Sequence, residues 1–173
     1  SKITNDLKNS LKTKDKLVCG LSWTSTNEEI GTNKSITLET LKPILSLNNI
    51  TFVDLQYNNT QKEREIFYHE NGIKIIKLNH IDSLNDINSV TSLIDVCDFV
   101  VTISNSNAHI AGALGKKSFL LLPKGKGKLW YWNSIGNKSI WYKSIQIINQ
   151  KNTGSWEDPI KELSKIIREM LNE

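Results

Sequence analysis

Two short, largely apolar runs near the middle of the chain enclose a polar turn and a helical segment. The runs are Phe99–Ile103 and Ser118–Leu122, and the turn covers residues 104–107, Ser-Asn-Ser-Asn. Apolar residues at consecutive rather than alternate positions are typical of parallel strands that helices cover on both faces. The helical segment, residues 108–114, is followed by Gly115, a residue type that readily adopts the left-handed conformation ending a helix. The pattern therefore predicts a strand, a turn, a helix and a second strand.

The same periodicities predict further elements on both sides of this unit. Residues 1–15 are predicted to be a linker or a short N-terminal helix, and residues 16–173 to be one domain. Pro43 indicates that the helix around it starts late or is kinked. The segment 124–142, rich in Lys, Gly and Trp, is predicted to be irregular. Additional strands are predicted over residues 16–23, 50–55, 73–78 and 145–148, and additional helices over residues 38–45, 61–70, 89–96 and 156–171.

Alternating strands and helices predict an α/β fold, a Rossmann-like doubly wound parallel sheet of about six strands in the order 3-2-1-4-5-6. In that order strands one and four are neighbours, so the polar loop of residues 24–35 lies beside the turn of residues 104–107. Ligands of such sheets bind at this point. The N–H groups and dipole of a helix that begins here favour an anion, especially phosphate. The alternative is that Ser and Asn only cap their own helix.

Composition favours a soluble globular protein of the cytoplasm. Hydrophobic residues make up 38% of the chain and charged residues 23%, and no run is long enough for a transmembrane segment. The net charge of +4 is too small to indicate nucleic-acid binding. Cys19 and Cys97 lie in or beside apolar segments, which favours buried free thiols in a reducing compartment. The first residue is Ser rather than Met, so we expect a domain excised from a longer protein.

Individual residues of the predicted crevice each allow two interpretations. Lys34 either reaches an anion held at Ser106 or is solvated on its loop. His109, expected as the neutral imidazole, donates either to a phosphate oxygen or to a nearby loop carbonyl. Asp86 is more simply explained as a turn or capping aspartate than as a ribose ligand. Trp130, with Trp132 and Trp141, either presents an aromatic face to a ligand or packs in the core, and packing is favoured.

Motifs of other chemistries are missing from the chain. No GxGxxG follows the first strand, which disfavours a dinucleotide oxidoreductase, and no GxSxG elbow indicates a hydrolase. The lysines of KGKGK, residues 124–128, alternate with glycines but lack the full phosphate-loop pattern. Three histidines and two cysteines without metal-ligand spacing give no basis for a metal site.

Several segments in order along the chain carry a resemblance to a known family. They are GLSW at 20–23, KSITLETL at 34–41, LIDVCDFVVTISNSNAHIAGALGKKSFLLLP at 93–123, and the later WYW and WYKS runs. Together they resemble the C-terminal, donor-binding domain of GT-B glycosyltransferases of the heptosyltransferase type (glycosyltransferase family 9-like). The resemblance is strongest to the glycosyltransferase-like domains that follow tetratricopeptide repeats in bacteria, and it covers nearly the whole chain after residue 16.

The resemblance implies one half of a GT-B fold that binds a nucleoside-diphosphate sugar as substrate, without a metal or another cofactor. Asn105, Ser106 and Asn107 match the turn that holds the diphosphate, while Lys34 and His109 match residues that stabilise the leaving group. Negative charge accumulates on that group as the glycosidic bond breaks, so such stabilisation promotes transfer. The predicted donor site combines these five residues with four further candidates from the predicted crevice, Ser22, Thr24, Asp86 and Trp130.

The chain departs from the family pattern at one place. Members commonly have Asp-Thr-Gly or Asp-Thr-Ala before the helix, whereas this chain has Ser104-Asn105-Ser106, which affects sugar or acceptor handling more than anion binding. The N-terminal acceptor domain of complete enzymes is expected to lie outside these residues and to supply the catalytic base. We therefore expect this domain alone to bind donor weakly and to be inactive. The alternatives are a degenerate, non-catalytic interaction domain and half of a sugar-nucleotide epimerase.

Overall fold

The computed structural model describes residues 2–13 and 15–172; residues 1, 14 and 173, which belong to the two predicted segments, lie outside this description. Within those ranges, none of the helices combines the length and the apolar composition that a bilayer-spanning segment requires. The helices are α1 (Lys2–Leu11), α2 (Gly31–Lys34), α3 (Leu38–Leu45), α4 (Gln61–Asn71), α5 (Ile87–Val96), α6 (Ser106–Ala113) and α7 (Glu157–Leu171). The strands are β1 (Leu17–Ser22), β2 (Ile50–Asp54), β3 (Ile75–Ile76), β4 (Phe99–Ile103), β5 (Ser118–Leu122), β6 (Ser134–Ile135), β7 (Lys138–Ser139) and β8 (Ile145–Asn149).

The described strands form one sheet in the order β3-β2-β1-β4-β5-β8-β7-β6. The pairs from β3 to β8 are parallel, and β7 and β6 continue the sheet as an antiparallel hairpin. This confirms the predicted Rossmann-like α/β class. It also confirms the order 3-2-1-4-5-6 for the parallel strands, β8 being the predicted sixth.

Two parts of the sheet differ from the prediction. The segment 124–142 is not wholly irregular, because it contains the β6–β7 hairpin around Gly136, whose φ is 61°. The pair Gly136-Asn137 suits such a two-residue turn, so the sequence could have indicated the hairpin. The third strand spans only Ile75–Ile76 rather than residues 73–78, since the next residue, Lys77, turns its ammonium to the carbonyl of Gln56.

Apolar side chains fill both faces of the sheet. All residues of β4 and β5 are buried, as their consecutive apolar pattern predicted. On one face α3 and α7 pack over the central strands; on the other, α1 and α5 do so. Leu7 and Leu11 of α1 are buried beside Val18, so the N-terminal segment is a packed helix rather than a linker.

Helix starts were the least accurate part of the prediction. α6 begins at Ser106, two residues earlier than expected, because Asn105 caps it, and Gly115 follows with a φ of 67°. α5 begins at Ile87 because Asp86 caps it. The single turn α2 lies inside the region predicted as a loop, and α3 accommodates Pro43 within its second turn.

Candidate functional site

A cleft of about 420 Å³ opens where the chain leaves the carboxyl ends of β1, β2 and β4. One wall is polar and the other mainly apolar, with Tyr57 after β2 at the rim. This is the switch point of the sheet, where α/β folds of this kind bind ligands. The polar wall is formed by Ser25, Lys34, Asn105, Ser106 and Asn107, and the mainly apolar wall by Leu84, Ile87, Val90 and Ile110 together with the polar Ser83 and Asn85.

The amino end of α6 forms part of the polar wall. The side chain of Asn105 accepts hydrogen bonds from the N–H groups of Asn107, at 3.1 Å, and Ala108, at 3.4 Å. Asn105 therefore caps α6, and this leaves open whether the turn also binds an anion. Ser106 is exposed to the cleft, and its N–H and hydroxyl have no hydrogen-bond partner in residues 2–13 or 15–172. Both groups remain available to a ligand oxygen.

Lys34, at the end of α2, contacts the same turn. Its side chain is only 5% exposed, and its Nζ donates to the carbonyl oxygen of Ser104 at 2.8 Å. No carboxylate among the described residues forms an ion pair with it. Burial lowers the pKa of Lys34, because desolvation disfavours the charged form. The close packing that holds α2 here requires Gly31, where a Cβ would lie 2.5 Å from the carbonyl oxygen of Ser25.

A buried side chain that the sequence analysis did not select, Gln56, joins the strand ends beneath the cleft. Its Oε1 accepts from the hydroxyl of Ser22 at 2.6 Å, and its Nε2 donates to the hydroxyl of Thr24 at 2.6 Å. The Ser22 oxygen in turn accepts from the amides of Asn105, at 2.7 Å, and Asn107, at 3.2 Å. Ser22 therefore positions the turn, Thr24 holds Gln56, and neither residue is on the cleft wall.

A buried aspartate anchors Gln56 itself. Asp54 accepts from the backbone N–H of Gln56 at 2.6 Å and lies 3.1 Å from Nε of Arg64 and 3.6 Å from Nζ of Lys77. Burial lowers the pKa of Lys77, while Asp54 opposes that change. Because buried ion pairs need such additional hydrogen bonds to be favourable, we interpret the cluster as a structural support of the cleft.

His109 lies on α6 but is not part of the cleft wall. Its ring stacks on Trp132 at a centroid distance of 4.7 Å, and its Nδ1 is 3.2 Å from the hydroxyl of Tyr142. Burial lowers the pKa of His109, which favours the neutral imidazole that we expected. Trp132 connects this aromatic cluster to the turn, since its Nε1 donates to the hydroxyl of Ser104 at 2.8 Å. Lys34 and Trp132 therefore both donate to Ser104, whereas the side chain of His109 is linked to the turn through Trp132.

Two further predicted donor residues, Asp86 and Trp130, are also outside the cleft wall. Asp86 caps α5 by accepting from the N–H of Ser89 at 3.1 Å, and hydrogen bonds from Ser89 lower its pKa. This is the alternative that the sequence favoured for it. Trp130 is 79% exposed, and Trp141 is also exposed, so the packing predicted for the three tryptophans is correct only for Trp132.

The structure adds residues that sequence reasoning missed. Tyr57 and the apolar residues Leu84 and Ile87 are exposed at the edge of the cleft. Their position could have indicated them, because Tyr57 and Leu84 lie in the loops that follow β2 and β3, and Ile87 is the first residue of α5. In the described ranges, no group of three His, Cys, Asp or Glu side chains is arranged to hold a metal ion.

Comparison with known proteins gives one significant similarity. The chain is 27% identical over 129 residues to Protein FlbA of Caulobacter vibrioides; the match covers 74% of this chain. It covers only 21% of FlbA, so the chain corresponds to about a fifth of that protein. No protein-family model matches the chain. The name FlbA states no activity, so the glycosyltransferase resemblance remains a prediction.

Proposed function

We propose that the cleft binds the diphosphate of a nucleoside-diphosphate sugar and that this chain is the donor-binding half of a GT-B glycosyltransferase. The observation that carries this proposal is the buried ammonium of Lys34, which faces the amino end of α6 and has no carboxylate partner in the described part of the chain. An anion in the cleft supplies the missing counter-charge.

The electrostatics of the polar wall support an anionic ligand. Burying an ammonium ion costs several kcal/mol in a protein, and one hydrogen bond to the carbonyl of Ser104 recovers only part of it. The amino end of α6 adds about half a positive charge to the same space. Two positive features without an acid between them repel one another, and a bound diphosphate reverses that interaction.

The apolar wall supports a nucleoside beside the diphosphate. Leu84 is 70% exposed and Ile87 is also exposed, although both border a concave surface. A planar base placed against them and Ile110 removes apolar surface from water, which favours binding. The volume of about 420 Å³ lies within the range of small-molecule sites.

In the proposed reaction the bond between the sugar's anomeric carbon and the β-phosphate oxygen breaks, and an acceptor oxygen forms the new bond to that carbon. The electron pair of the broken bond stays on the diphosphate, where Lys34 and the N–H of Ser106 stabilise it. The acceptor's proton goes to a base that we assign to a separate acceptor domain. The buried free thiols of Cys19 and Cys97 favour a reducing compartment, and we propose the cytoplasm.

A second candidate function, a non-catalytic interaction domain, is favoured by the β6–β7 hairpin. Ile135, Trp130 and Trp141 are exposed in and around it, and exposed apolar patches of this kind often bind other proteins. This candidate predicts that the cleft binds no nucleotide. The experiment below therefore distinguishes the two functions.

The test is a thermal-shift and calorimetric titration of the protein with UDP, GDP and ADP. We expect one of them to raise the melting temperature of the protein and the variant Lys34→Met to abolish that rise. Lys62→Ala removes an exposed lysine outside the cleft and serves as the matched control. Absence of a shift with all three nucleotides, or an equal shift in Lys34→Met, contradicts the proposal.

A further inference from the structure

We propose that a second cavity, on the other side of α2 from the cleft, is a binding site for a phosphate group. The cavity has a volume of about 310 Å³ and lies between the amino ends of α3 and α7 and the loop after β5. Lys34 lines the cleft, whereas its neighbours Thr32 and Asn33 line the cavity. The inference is independent of the proposed nucleotide site.

A buried hydrogen-bond donor without an acceptor indicates a ligand here. Gln150 lines the cavity and is only 5% exposed, and its Nε2 has no hydrogen-bond partner within the described residues. Its Oε1 accepts from the backbone N–H of Lys124 at 3.0 Å. Turning the amide over would place two donors against each other, so this bond keeps Nε2 in its unpaired position. A buried unpaired donor is unfavourable unless a ligand or water accepts from it.

The charged residues that line the cavity favour an anion. Lys124 and Lys126 border it, and none of the residues that line it is acidic. The ammonium of Lys124 donates to the carbonyl of Lys151 at 2.9 Å, which leaves two of its three N–H groups for a ligand. Lys126 forms no ion pair with any described residue. Cationic donors together with the neutral donor of Gln150 suit an anion with several oxygens.

Two helix ends border the same space, and the acidic residues of their first turns, Glu39 in α3 and Glu157 and Asp158 in α7, do not line it. Thr37, the N-cap of α3, and Trp156, the N-cap of α7, both line the cavity. The hydroxyl of Thr37 accepts from the N–H of Thr40 at 3.2 Å, whereas α7 has no side-chain cap. Helix amino ends stabilise phosphate through their dipoles and free N–H groups.

The glycines of the KGKGK segment explain how the lysines reach the cavity. Gly125 and Gly127 adopt φ values of 79° and 96°, which residues with side chains rarely adopt. A Cβ on Gly127 would lie 3.1 Å from Cβ of Asn33, so this glycine also lets the segment pack against α2. The motif therefore presents Lys124 and Lys126 to the cavity without the usual phosphate-loop pattern.

The test uses the side-chain amide of Gln150 as a local reporter. We would titrate the ¹⁵N-labelled protein with inorganic phosphate and, separately, with a hexose phosphate, at constant ionic strength maintained with NaCl. The amide signal that disappears in Gln150→Glu identifies the reporter. That variant keeps the acceptor for Lys124 but places a carboxylate toward the anion, so calorimetry should show binding at least tenfold weaker.

Lys126→Ala, which removes an exposed lysine and should not affect folding, should also weaken phosphate binding. Lys128→Ala, in the same segment but outside the cavity, is the matched control and should bind normally. Lys34→Met should leave the response of the Gln150 amide unchanged, which separates this site from the nucleotide cleft. Tighter binding of the hexose phosphate supports an esterified ligand, and tighter binding of inorganic phosphate supports the free ion. The proposal is overturned if neither anion shifts the amide signal, or if Lys126→Ala and Lys128→Ala bind phosphate equally.

Discussion

Replacing Lys34 by methionine tests whether this lysine binds a ligand or only stabilises the fold. Methionine keeps an unbranched side chain of similar length and removes the charge. The buried ammonium makes one hydrogen bond, 2.8 Å long, to the carbonyl of Ser104, a contribution of about 1.5–3 kcal/mol for a charged donor. Its desolvation costs several kcal/mol, which is as large or larger. We therefore expect the free energy of unfolding of Lys34→Met to be unchanged or raised by about 1 kcal/mol.

The same substitution should greatly weaken binding of a nucleoside diphosphate. The loss of one charge-assisted hydrogen bond to phosphate, about 1.5–3 kcal/mol, corresponds to about a tenfold to hundredfold weaker affinity. Urea unfolding followed by tryptophan fluorescence measures the stability, and calorimetry measures the affinity. Lys62→Ala should change neither quantity.

The pH dependence of this variant provides an internal check. Burial lowers the pKa of Lys34, so the unfolded state holds its proton more tightly than the folded state. The cost of burying the charge is fully present below the lowered pKa and disappears as the pH rises to the ordinary lysine value of about 10.4. Any stability advantage of Lys34→Met should shrink across that window. A variant that is less stable by about 2 kcal/mol or more but binds nucleotide normally would refute the reasoning, because Lys34 would then be structural.

Three further predictions concern the interior of the domain. Burial lowers the pKa of His109, so the protein should become less stable as the pH drops from the ordinary histidine value of about 6.5 toward that lowered pKa. Melting temperatures measured across this pH range should therefore fall toward acid pH, and the fall should be smaller in His109→Gln. His80→Gln, which replaces an exposed histidine, is the control and should leave the fall unchanged. Burial raises the pKa of Cys97 to about 12, so a thiol reagent at about pH 8 should label the cysteines only after unfolding, and rapid labelling of the native protein would contradict their burial. In Gly112→Ala the new Cβ would lie 2.4 Å from the ring of Tyr142, so chemical denaturation should show a loss of about 1–3 kcal/mol that Tyr142→Ala in the same chain partly relieves.

Local patterns were sufficient to predict most of the fold. The consecutive apolar residues of β4 and β5 indicated strands buried on both faces, and the structure confirms this. A polar turn before a helix was predicted correctly at residues 104–105, whereas Ser106 and Asn107 belong to α6 itself. By contrast, the β6–β7 hairpin was missed because its two-residue strands are too short for a periodicity to be visible, and β3 was predicted over too long a range.

The candidate site was predicted in part, for a related reason. Lys34, Asn105, Ser106 and Asn107 meet at one cleft because neighbouring parallel strands end at the same edge, which strand order alone predicts. Asp86 and Trp130 were placed in the predicted donor site from their position in the chain and their chemistry, but a side chain's direction depends on its immediate neighbours. Ser89 holds the carboxylate of Asp86, and the hairpin leaves Trp130 in solvent.

The amino-acid sequence by itself determined the alternation of strands and helices, their order in the sheet and the edge at which a ligand would bind, since these depend on periodicity and chain connectivity. Only the tertiary structure decided that Lys34 is buried without a carboxylate partner, that Gln56 supports the turn from below and that Gln150 holds an unpaired donor beside two lysines. Burial and hydrogen-bond pairing join residues distant in the chain, and no local pattern encodes them.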